Sequence, residues 1–197
     1  MDGVSVKKYV NSLFNSASYL IWHKGNEQCI VVDCGDTEQL IEDIKDGELV
    51  PVAILLTHVH FDHIYGVNEM LLAFPDVKIY TNEWGHKALM SDKLNLSRYH
   101  GSPFVVADEQ AIVDIVENEE VIEVAGMNIH TLYTPGHNPS CITYYTDDMV
   151  FTGDAYIPDT PVVTCLPHGN RQEAERSLAA ITPLMQGRRV MPGHDVK

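Results

Sequence analysis

The chain has 197 residues, a length that suits one domain with a sizeable core of its own. Hydrophobic residues make up 45% and charged residues 21%, but 28 acidic residues against 13 basic ones give a formal charge of −15. A surface this negative repels phosphate groups, which argues against nucleic acid and anionic membranes as partners.

The N-terminal segment MDGVSVKKYVNSLF has no apolar stretch typical of a signal peptide, and no apolar run approaches the ~18–20 residues of a membrane span. The four cysteines, Cys29, Cys34, Cys141 and Cys165, form no C-x-x-C pair. We therefore expect free thiols, a cytoplasmic location and no membrane partner. No linker or low-complexity segment interrupts the chain, so we expect one domain over residues 1–197.

Strands and helices alternate through the first half of the sequence. The predicted strands cover residues 18–22, 29–33, 52–56 and 77–80, and the predicted helices cover residues 37–45, 66–74 and 83–90. The run at 52–56 (VAILL) is continuously apolar, which predicts a strand buried on both faces. Residues 94–104 have no clear period and predict an irregular loop.

Two hairpins, a helix and a last short strand are predicted in the second half. The hairpins pair residues 121–124 with 128–133 and residues 142–146 with 149–152, the helix covers residues 171–181, and the strand covers residues 189–191. The spacing of Ala174, Leu178 and Ile181 predicts that they face inward from that helix. Because strands and helices alternate in both halves, the fold class is α/β.

The pattern His58-Val-His60-Phe-Asp62-His63 follows the buried strand at 52–56. This is the carboxyl-end edge, where α/β sheets hold their functional sites. Imidazole nitrogens and carboxylates are the ligands that catalytic zinc takes. In an extended segment alternate residues point the same way, so His58 and His60 can share one ion while Asp62 and His63 face a neighbouring one.

Three further segments place a candidate ligand directly after a glycine that follows an apolar β run. They end in His137 (TPGH), Asp154 (TGD) and His194 (PGH). Glycine lets the backbone turn sharply, which brings the next side chain off the end of a strand. Each segment alone is a weak signal, but together with the histidine cluster they indicate one metal centre.

With these motifs the chain resembles the metallo-β-lactamase superfamily from residues 29–35 to His194. The resemblance implies a four-layer αβ/βα sandwich, in which two mixed β-sheets lie between outer helices. It also implies two zinc ions per chain. The ligands would be His58, His60 and His137 for one ion and Asp62, His63 and His194 for the other, with Asp154 bridging. Asp33 matches an acidic residue that supports the family's site from outside, although a strand-end cap explains it equally well.

Within the superfamily, residues 60–66 (HFDHIYG) and 134–141 (TPGHNPSC) are most similar to the glyoxalase II branch, which hydrolyses thioesters of glutathione. Two departures argue against that substrate here. The sequence ends three residues after His194, where glyoxalase II continues into a helical domain that grips glutathione. The residues after Asp154 also lack the Gly-Arg-x-Asp pattern of that branch. The expected substrate is therefore a small thioester, ester or lactone.

Two neighbouring cations can activate water at neutral pH and polarise a substrate carbonyl. Asp62 is the best candidate to orient that water and accept its proton. Four further residues, Tyr99, His100, Tyr156 and His168, are candidates for contact with a small-molecule substrate. Surface exposure is the alternative for Tyr99 and His100, a helix cap for His168 and a core role for Tyr156, and the oligomeric state is not predicted.

Two alternatives remain open. A mononuclear iron persulfide dioxygenase shares the pattern and would use His58, His137 and Asp154, so iron is a possible metal. The missing Gly-Arg-x-Asp segment argues against this reading as well. A non-catalytic metal-binding protein with a relic site is the other alternative, but relic sites usually lose ligands and every ligand position is filled here.

Overall fold

The computed structural model describes residues 3–115 and 120–195. The strands are β1 Val4–Val10, β2 Ala17–His23, β3 Gln28–Val32, β4 Val50–Leu55, β5 Lys78–Asn82, β6 Ile112–Ile115, β7 Val121–Val124, β8 Met127–Tyr133, β9 Ile142–Tyr145, β10 Met149–Gly153 and β11 Arg189–Pro192. The α-helices are α1 Glu38–Asp46, α2 Val67–Ala73, α3 Glu83–Leu89 and α4 Arg171–Leu184. Short 3₁₀ helices lie at Phe61–His63, Ser97–His100 and Glu109–Ala111.

The strands form two mixed sheets. In the first, ordered β1-β2-β3-β4-β5-β6, the pairs up to β3 are antiparallel and the remaining pairs are parallel. In the second, ordered β11-β10-β9-β8-β7, only the β10–β11 pair is parallel. The sheets pack face to face with helices outside them, which confirms the predicted four-layer αβ/βα sandwich.

Strand β4 shows how the sequence pattern produces this architecture. Ala53 and Leu55 point into the core between the two sheets, whereas Ile54 points into the core under the helices α1, α2 and α3. Successive side chains of a strand alternate between its two faces, so a strand with a core on each side needs a continuous apolar run. The prediction from VAILL is therefore confirmed.

Some elements differ from the sequence-based expectation. Strands β1 and β6 were not predicted, and α4 extends to Leu184 with Pro183 in its last turn. The prediction that Leu178 faces inward is wrong, because it is 36% exposed while Ser177 is buried. The Ser177 hydroxyl donates a hydrogen bond to the Pro135 carbonyl, 2.6 Å away, so a polar residue occupies that inner position. No helix among the described residues is long and apolar enough to cross a membrane.

The candidate ligands all lie just beyond the carboxyl ends of strands. The histidine cluster follows β4, His137 follows β8, Asp154 follows β10 and His194 follows β11. Residues from both sheets therefore meet at one edge of the sandwich. Since the strands are fixed by the core, the positions of these side chains are fixed with them.

Candidate metal centre

Ligand atoms of the seven candidate residues converge at this edge in overlapping groups. His58, His60 and His137 form one, here called the first ligand group, and Asp62, His63 and His194 form another, the second ligand group. A third, formed by His58, His63 and Asp154, overlaps both. Within each group the ligand atoms lie within 4.8 Å of one another, a spacing that would allow them to share an ion.

The first ligand group consists only of buried imidazoles. His137 Nε2 lies 2.9 Å from His60 Nδ1, and the rings of His58 and His137 meet edge to face with centroids 4.9 Å apart. Burial, together with the neighbouring histidines, holds the pKa values of His58 and His60 well below the ordinary value. His58 and His60 are therefore neutral at physiological pH.

The second ligand group is charged and more exposed. Asp62 Oδ2 lies 3.4 Å from both His63 Nε2 and His194 Nε2, and the side chains of Asp62 and His194 are 14% and 19% exposed. Burial alone would lower the pKa of His63, but Asp62, Asp33 and Asp154 outweigh it and raise the pKa to about 10. The pKa of His194 is also raised, because the bond to Asp154 outweighs burial.

Asp154 lies between the two groups. Its Oδ2 is 3.5 Å from His137 Nε2 and 3.3 Å from His194 Nε2, and its Oδ1 is 3.6 Å from His63 Nε2. Burial opposes ionisation of this carboxyl, but the hydrogen bond from His194 and the surrounding imidazoles hold its pKa well below the ordinary value. Its carboxylate is thus the charge that the two groups share.

Hydrogen bonds outside the centre orient four of the five histidines. His63 Nδ1 faces Asp33 Oδ2 at 2.9 Å and His58 Nδ1 faces Thr57 Oγ1 at 3.3 Å. Two backbone carbonyls accept hydrogen bonds from the other two histidines. The Val163 oxygen lies 2.7 Å from His137 Nδ1, and the Phe14 oxygen lies 3.0 Å from His194 Nδ1. Acceptors at the outer nitrogens keep the protons there, so Nε2 of each neutral ring presents its lone pair to the centre.

Asp33 anchors this arrangement at the end of β3. Its carboxylate accepts hydrogen bonds from the Thr57 backbone N–H and the Thr57 hydroxyl, both at 2.7 Å, as well as from His63. The residue is 1% exposed and has a left-handed backbone with φ 52°. Asp33 therefore holds the imidazole of the candidate ligand His63 and also lies at the end of a strand, a position compatible with both roles that the sequence left open.

His60 is the exception. Its outer nitrogen, Nε2, lies 2.9 Å from the side-chain amide nitrogen of Asn138. The Asn138 carbonyl oxygen accepts from the Ser140 N–H at 2.9 Å and from the Ser140 hydroxyl at 2.7 Å, which fixes the orientation of the amide. His60 Nε2 must then accept a hydrogen bond, so the His60 proton lies on Nδ1 and faces His137.

The three glycines that precede ligands act in two ways. Gly136 and Gly153 have left-handed backbones, with φ 129° and 51°, which a side chain would strain. Gly193 does not, but a Cβ there would collide with Asp154 Oδ1. The glycine before His194 is thus required by the close approach of the chain to the Asp154 carboxylate.

The donor set fits a divalent cation. His58 Nε2 and Asp154 Oδ1 are buried and have no hydrogen-bond partner among the described residues. A buried polar atom without a partner is costly, and both atoms face the place where the imidazole lone pairs converge. Five imidazoles and two carboxylates suit zinc or iron, and the described side chains leave part of the second ligand group open to solvent.

The four further candidates lie in different surroundings. The His100 ring packs edge-on against Phe14 and stacks on Phe61. Tyr99 is 63% exposed. The exposed His168 packs edge-on against Trp84, and the half-buried Tyr156 accepts a hydrogen bond from Thr152 through its carbonyl. Contact with substrate stays a prediction for all four.

Several residues that support the centre were not identified from the sequence. Thr57 ends the strand before the histidine motif, and Asn138 and Ser140 lie within the segment TPGHNPSC. Their polar side chains beside ligands were a usable signal. The carbonyls of Phe14 and Val163 had no such signal, because a backbone acceptor is independent of residue type.

Comparison with known proteins agrees with this geometry. The family described as "Metallo-beta-lactamase superfamily" matches residues 12–194. Hydroxyacylglutathione hydrolase from Yersinia pestis (strain Pestoides F) is 32% identical over 136 residues, 68% of this chain and 45% of the relative. The chain spans about half the length of the curated relatives it matches.

Two solved structures are similar over nearly their whole length. The B3 metallo-beta-lactamase BLEG-1 has a TM-score of 0.89 and 28% identity, covering 98% of this chain and 92% of that one. The protein TTHA1623 in a di-iron-bound form has a TM-score of 0.79 and 25% identity, covering 96% and 92%. A His/Asp metal site typical of dinuclear centres accompanies the shared fold.

Proposed function

The chain belongs to the metallo-beta-lactamase superfamily. From that premise we propose that it is a hydrolase that uses two zinc ions to cleave a small thioester, ester or lactone. His58, His60 and His137 would hold one ion, Asp62, His63 and His194 the other, and Asp154 would bridge them. When bound, the ions supply Lewis-acid chemistry that acidifies water and polarises a carbonyl group.

The observation that carries the proposal is the position of Asp154. One carboxylate lies within 3.6 Å of imidazole nitrogens from both ligand groups. A structural metal site needs only one closed set of ligands, whereas two sets that share a carboxylate and open to solvent are typical of two-metal hydrolytic sites. The arrangement therefore favours catalysis over a purely structural role.

We propose that Asp62 accepts the proton of the attacking water. Its backbone carbonyl accepts a hydrogen bond from Ser16 Oγ at 2.6 Å, and its carboxylate faces His63 and His194 at the exposed side of the centre. A carboxylate held there can orient a water molecule and accept its proton as the water attacks a carbonyl carbon.

The substrate class rests on the relatives and on one difference from them. By its name, the Yersinia relative acts on hydroxyacylglutathione, and BLEG-1 is described as a beta-lactamase, so acyl bonds are the common chemistry. Residues 155–160 (AYIPDT) replace the Gly-Arg-x-Asp pattern of the glyoxalase II branch. We therefore propose acyl-bond hydrolysis without a dedicated glutathione site.

Iron is the second candidate metal, and one observation favours it. TTHA1623 is described in a di-iron-bound form, and this chain is similar to it over 96% of its length. A single iron held by His58, His137 and Asp154 would leave the second ligand group without a partner ion. A count of metal ions per chain therefore separates the dinuclear hydrolase from the mononuclear dioxygenase.

The test combines metal analysis with a substrate screen. After expression in medium with balanced metals, we expect about two divalent ions per chain, mainly zinc. The zinc-loaded protein is then assayed on thioesters, lactones, β-lactams and phosphodiesters, with a glutathione thioester and a neutral thioester of the same acyl group as a matched pair. One iron per chain without zinc would overturn the proposal. A preference above about 100-fold for the glutathione form would show a glutathione site.

A further inference from the structure

Four aromatic side chains, Phe104, Phe61, His100 and Phe14, form a row that begins at the core and passes beside the metal centre. Phe61 lies between the candidate ligands His60 and Asp62, and its ring centroid is 6.2 Å from that of Phe104 and 5.9 Å from that of His100. The His100 ring in turn meets the Phe14 ring edge-on at 5.3 Å. The outer part of this row, the rings of Phe61, His100 and Phe14, is called the aromatic shelf.

Both ends of the aromatic shelf are connected to candidate metal ligands through the backbone. Phe61 belongs to the 3₁₀ helix that carries Asp62 and His63. The backbone carbonyl of Phe14 accepts a hydrogen bond from His194 Nδ1. The His100 ring lies between those of Phe61 and Phe14. The aromatic shelf therefore borders the second ligand group.

The core does not require an aromatic residue at position 14. Phe14 is 57% exposed, so its side chain contributes little to the core. Its backbone is left-handed, with φ 56°, and Asn15 follows with φ 55°. Glycine or asparagine suits this conformation, whereas a bulky side chain strains it. The chain thus keeps an exposed aromatic side chain on a strained backbone beside the candidate metal centre, and backbone strain of this kind is concentrated at functional sites.

We propose that the aromatic shelf binds a planar, apolar group of the substrate, such as an aryl ring. This inference rests on the proposed hydrolase function and deepens it, because it assigns a substrate class to the same site. Phe61 is buried and supports the shelf, whereas the exposed side chains of Phe14 and His100 leave ring surface on which another aromatic ring can pack. The aryl ring could belong to the acyl part or to the leaving thiol, and the experiment separates these sources.

The experiment compares planar with non-planar rings of similar size. One series contains phenylacetyl and cyclohexylacetyl thioesters of the same simple thiol. The other contains phenyl and cyclohexyl thioacetates. Each is hydrolysed by the wild type, Phe14→Gly and Phe14→Leu, with Leu72→Ala as a control that removes another exposed apolar side chain. The ratio of kcat/KM for phenyl over cyclohexyl is compared between proteins, so intrinsic reactivity cancels.

We expect Phe14→Gly to lower this ratio by roughly two- to tenfold in one series, the range that an aromatic contact supports. Phe14→Leu should lower it similarly, and Leu72→Ala should not. Glycine relieves the strain at φ 56°, so the Tm of Phe14→Gly should not fall. Metal content is measured for each variant because the Phe14 carbonyl contacts His194. An unchanged ratio in both series overturns the proposal.

A binding measurement distinguishes failure of the aromatic shelf from failure of the hydrolase proposal. Calorimetry gives the Kd of phenylacetate and of cyclohexylacetate for the metal-loaded wild type and for Phe14→Gly. A wild-type preference for phenylacetate that Phe14→Gly reduces supports the aromatic shelf even if no thioester is hydrolysed. Equal preference in the two proteins contradicts it even if the wild type is an active hydrolase.

Discussion

In the metal-free protein the two ligand groups differ in protonation and charge. In the first ligand group His58 and His60 are neutral, since burial holds their pKa values well below the ordinary value. The second ligand group is an ion-pair network, in which carboxylates raise the pKa of His63 to about 10. A cation can therefore enter the first group without displacing a proton from an imidazolium, whereas in the second it must replace one.

This difference predicts an order of loading and of loss. The first ligand group should bind its cation over the whole neutral range, and the second should lose its cation first as the pH falls. The two groups are not independent, however, because Asp154 contacts both. The predictions below either remove that shared carboxylate or change one group while leaving the other intact.

Asp154→Ala should have the largest effect. It removes the carboxylate that faces His137, His194 and His63, so both groups should lose metal affinity. Loss of a catalytic bridge should also lower the hydrolysis rate by about 10³-fold or more. Metal content after dialysis and kcat on a thioester measure the two effects, with Asp159→Ala on the following loop as the matched control. A variant that keeps two ions and most of its activity would contradict the bridging role.

The pH dependence of metal binding should separate the two groups. In the metal-free protein the protonated His63 contributes stability that is fully present below its ordinary pKa of 6.5 and lost as the pH rises through about 10. Over the same range a cation displaces that proton, so the affinity of the second ligand group should rise up to about tenfold per pH unit. The affinity of the first group should change little.

Chelator competition at several pH values between these limits measures both affinities, and thermal unfolding of the metal-free protein measures the stability. His194→Ala serves as a comparison. It should mainly remove the cation of the second ligand group and leave the metal affinity of the first group, and its small pH dependence, unchanged. Equal pH slopes for the two ions in the wild type would remove the distinction between the groups.

Asp33→Asn should lower the metal affinity of the second ligand group. It should destabilise the protein less than Asp33→Ala. The amide keeps an acceptor for Thr57 and tolerates the left-handed backbone, but it removes the charge beside His63. Loss of such an outer partner costs about 10–100-fold in metal affinity. Asp33→Ala should in addition destabilise the protein by about 2–4 kcal/mol, because it leaves buried donors unpaired. Equal affinities for the second ion in wild type and Asp33→Asn would assign Asp33 to strand termination alone.

The sequence predicted the ligand candidates better than the structure that holds them. The apolar run before His58 and the glycines before the other ligands are local patterns, and local patterns can be recognised without coordinates. The outer acceptors come from distant segments, and two of them are the backbone carbonyls of Phe14 and Val163, which carry no sequence signal. Strand β1 was not predicted because Lys7 and Lys8 interrupt the alternation of apolar and polar residues. Lysines of this kind are typical of an exposed edge strand.

Asn138→Asp should have the smallest effect, and its expected direction is a gain. In the metal-free protein the Asn138 amide donates to His60 Nε2, which keeps the His60 proton on Nδ1, the nitrogen that faces His137. A cation at Nδ1 requires that proton to move to Nε2, where it would meet another donor. The amide must then turn around and lose its bonds to Ser140.

An aspartate at position 138 would remove this conflict. One carboxylate oxygen can still accept from the Ser140 N–H and hydroxyl, and the other can accept from a protonated His60 Nε2, as Asp33 does for His63. We expect the first ligand group to bind its cation about tenfold more tightly in Asn138→Asp, the lower end of the range for such outer partners. The affinity of the second group should not change, which chelator competition on both ions can test. Asn138→Ala is the matched control, since it removes the donor without adding an acceptor. Weaker binding at the first group in Asn138→Asp would mean that the neutral character of that group, and not the proton position on His60, determines its affinity.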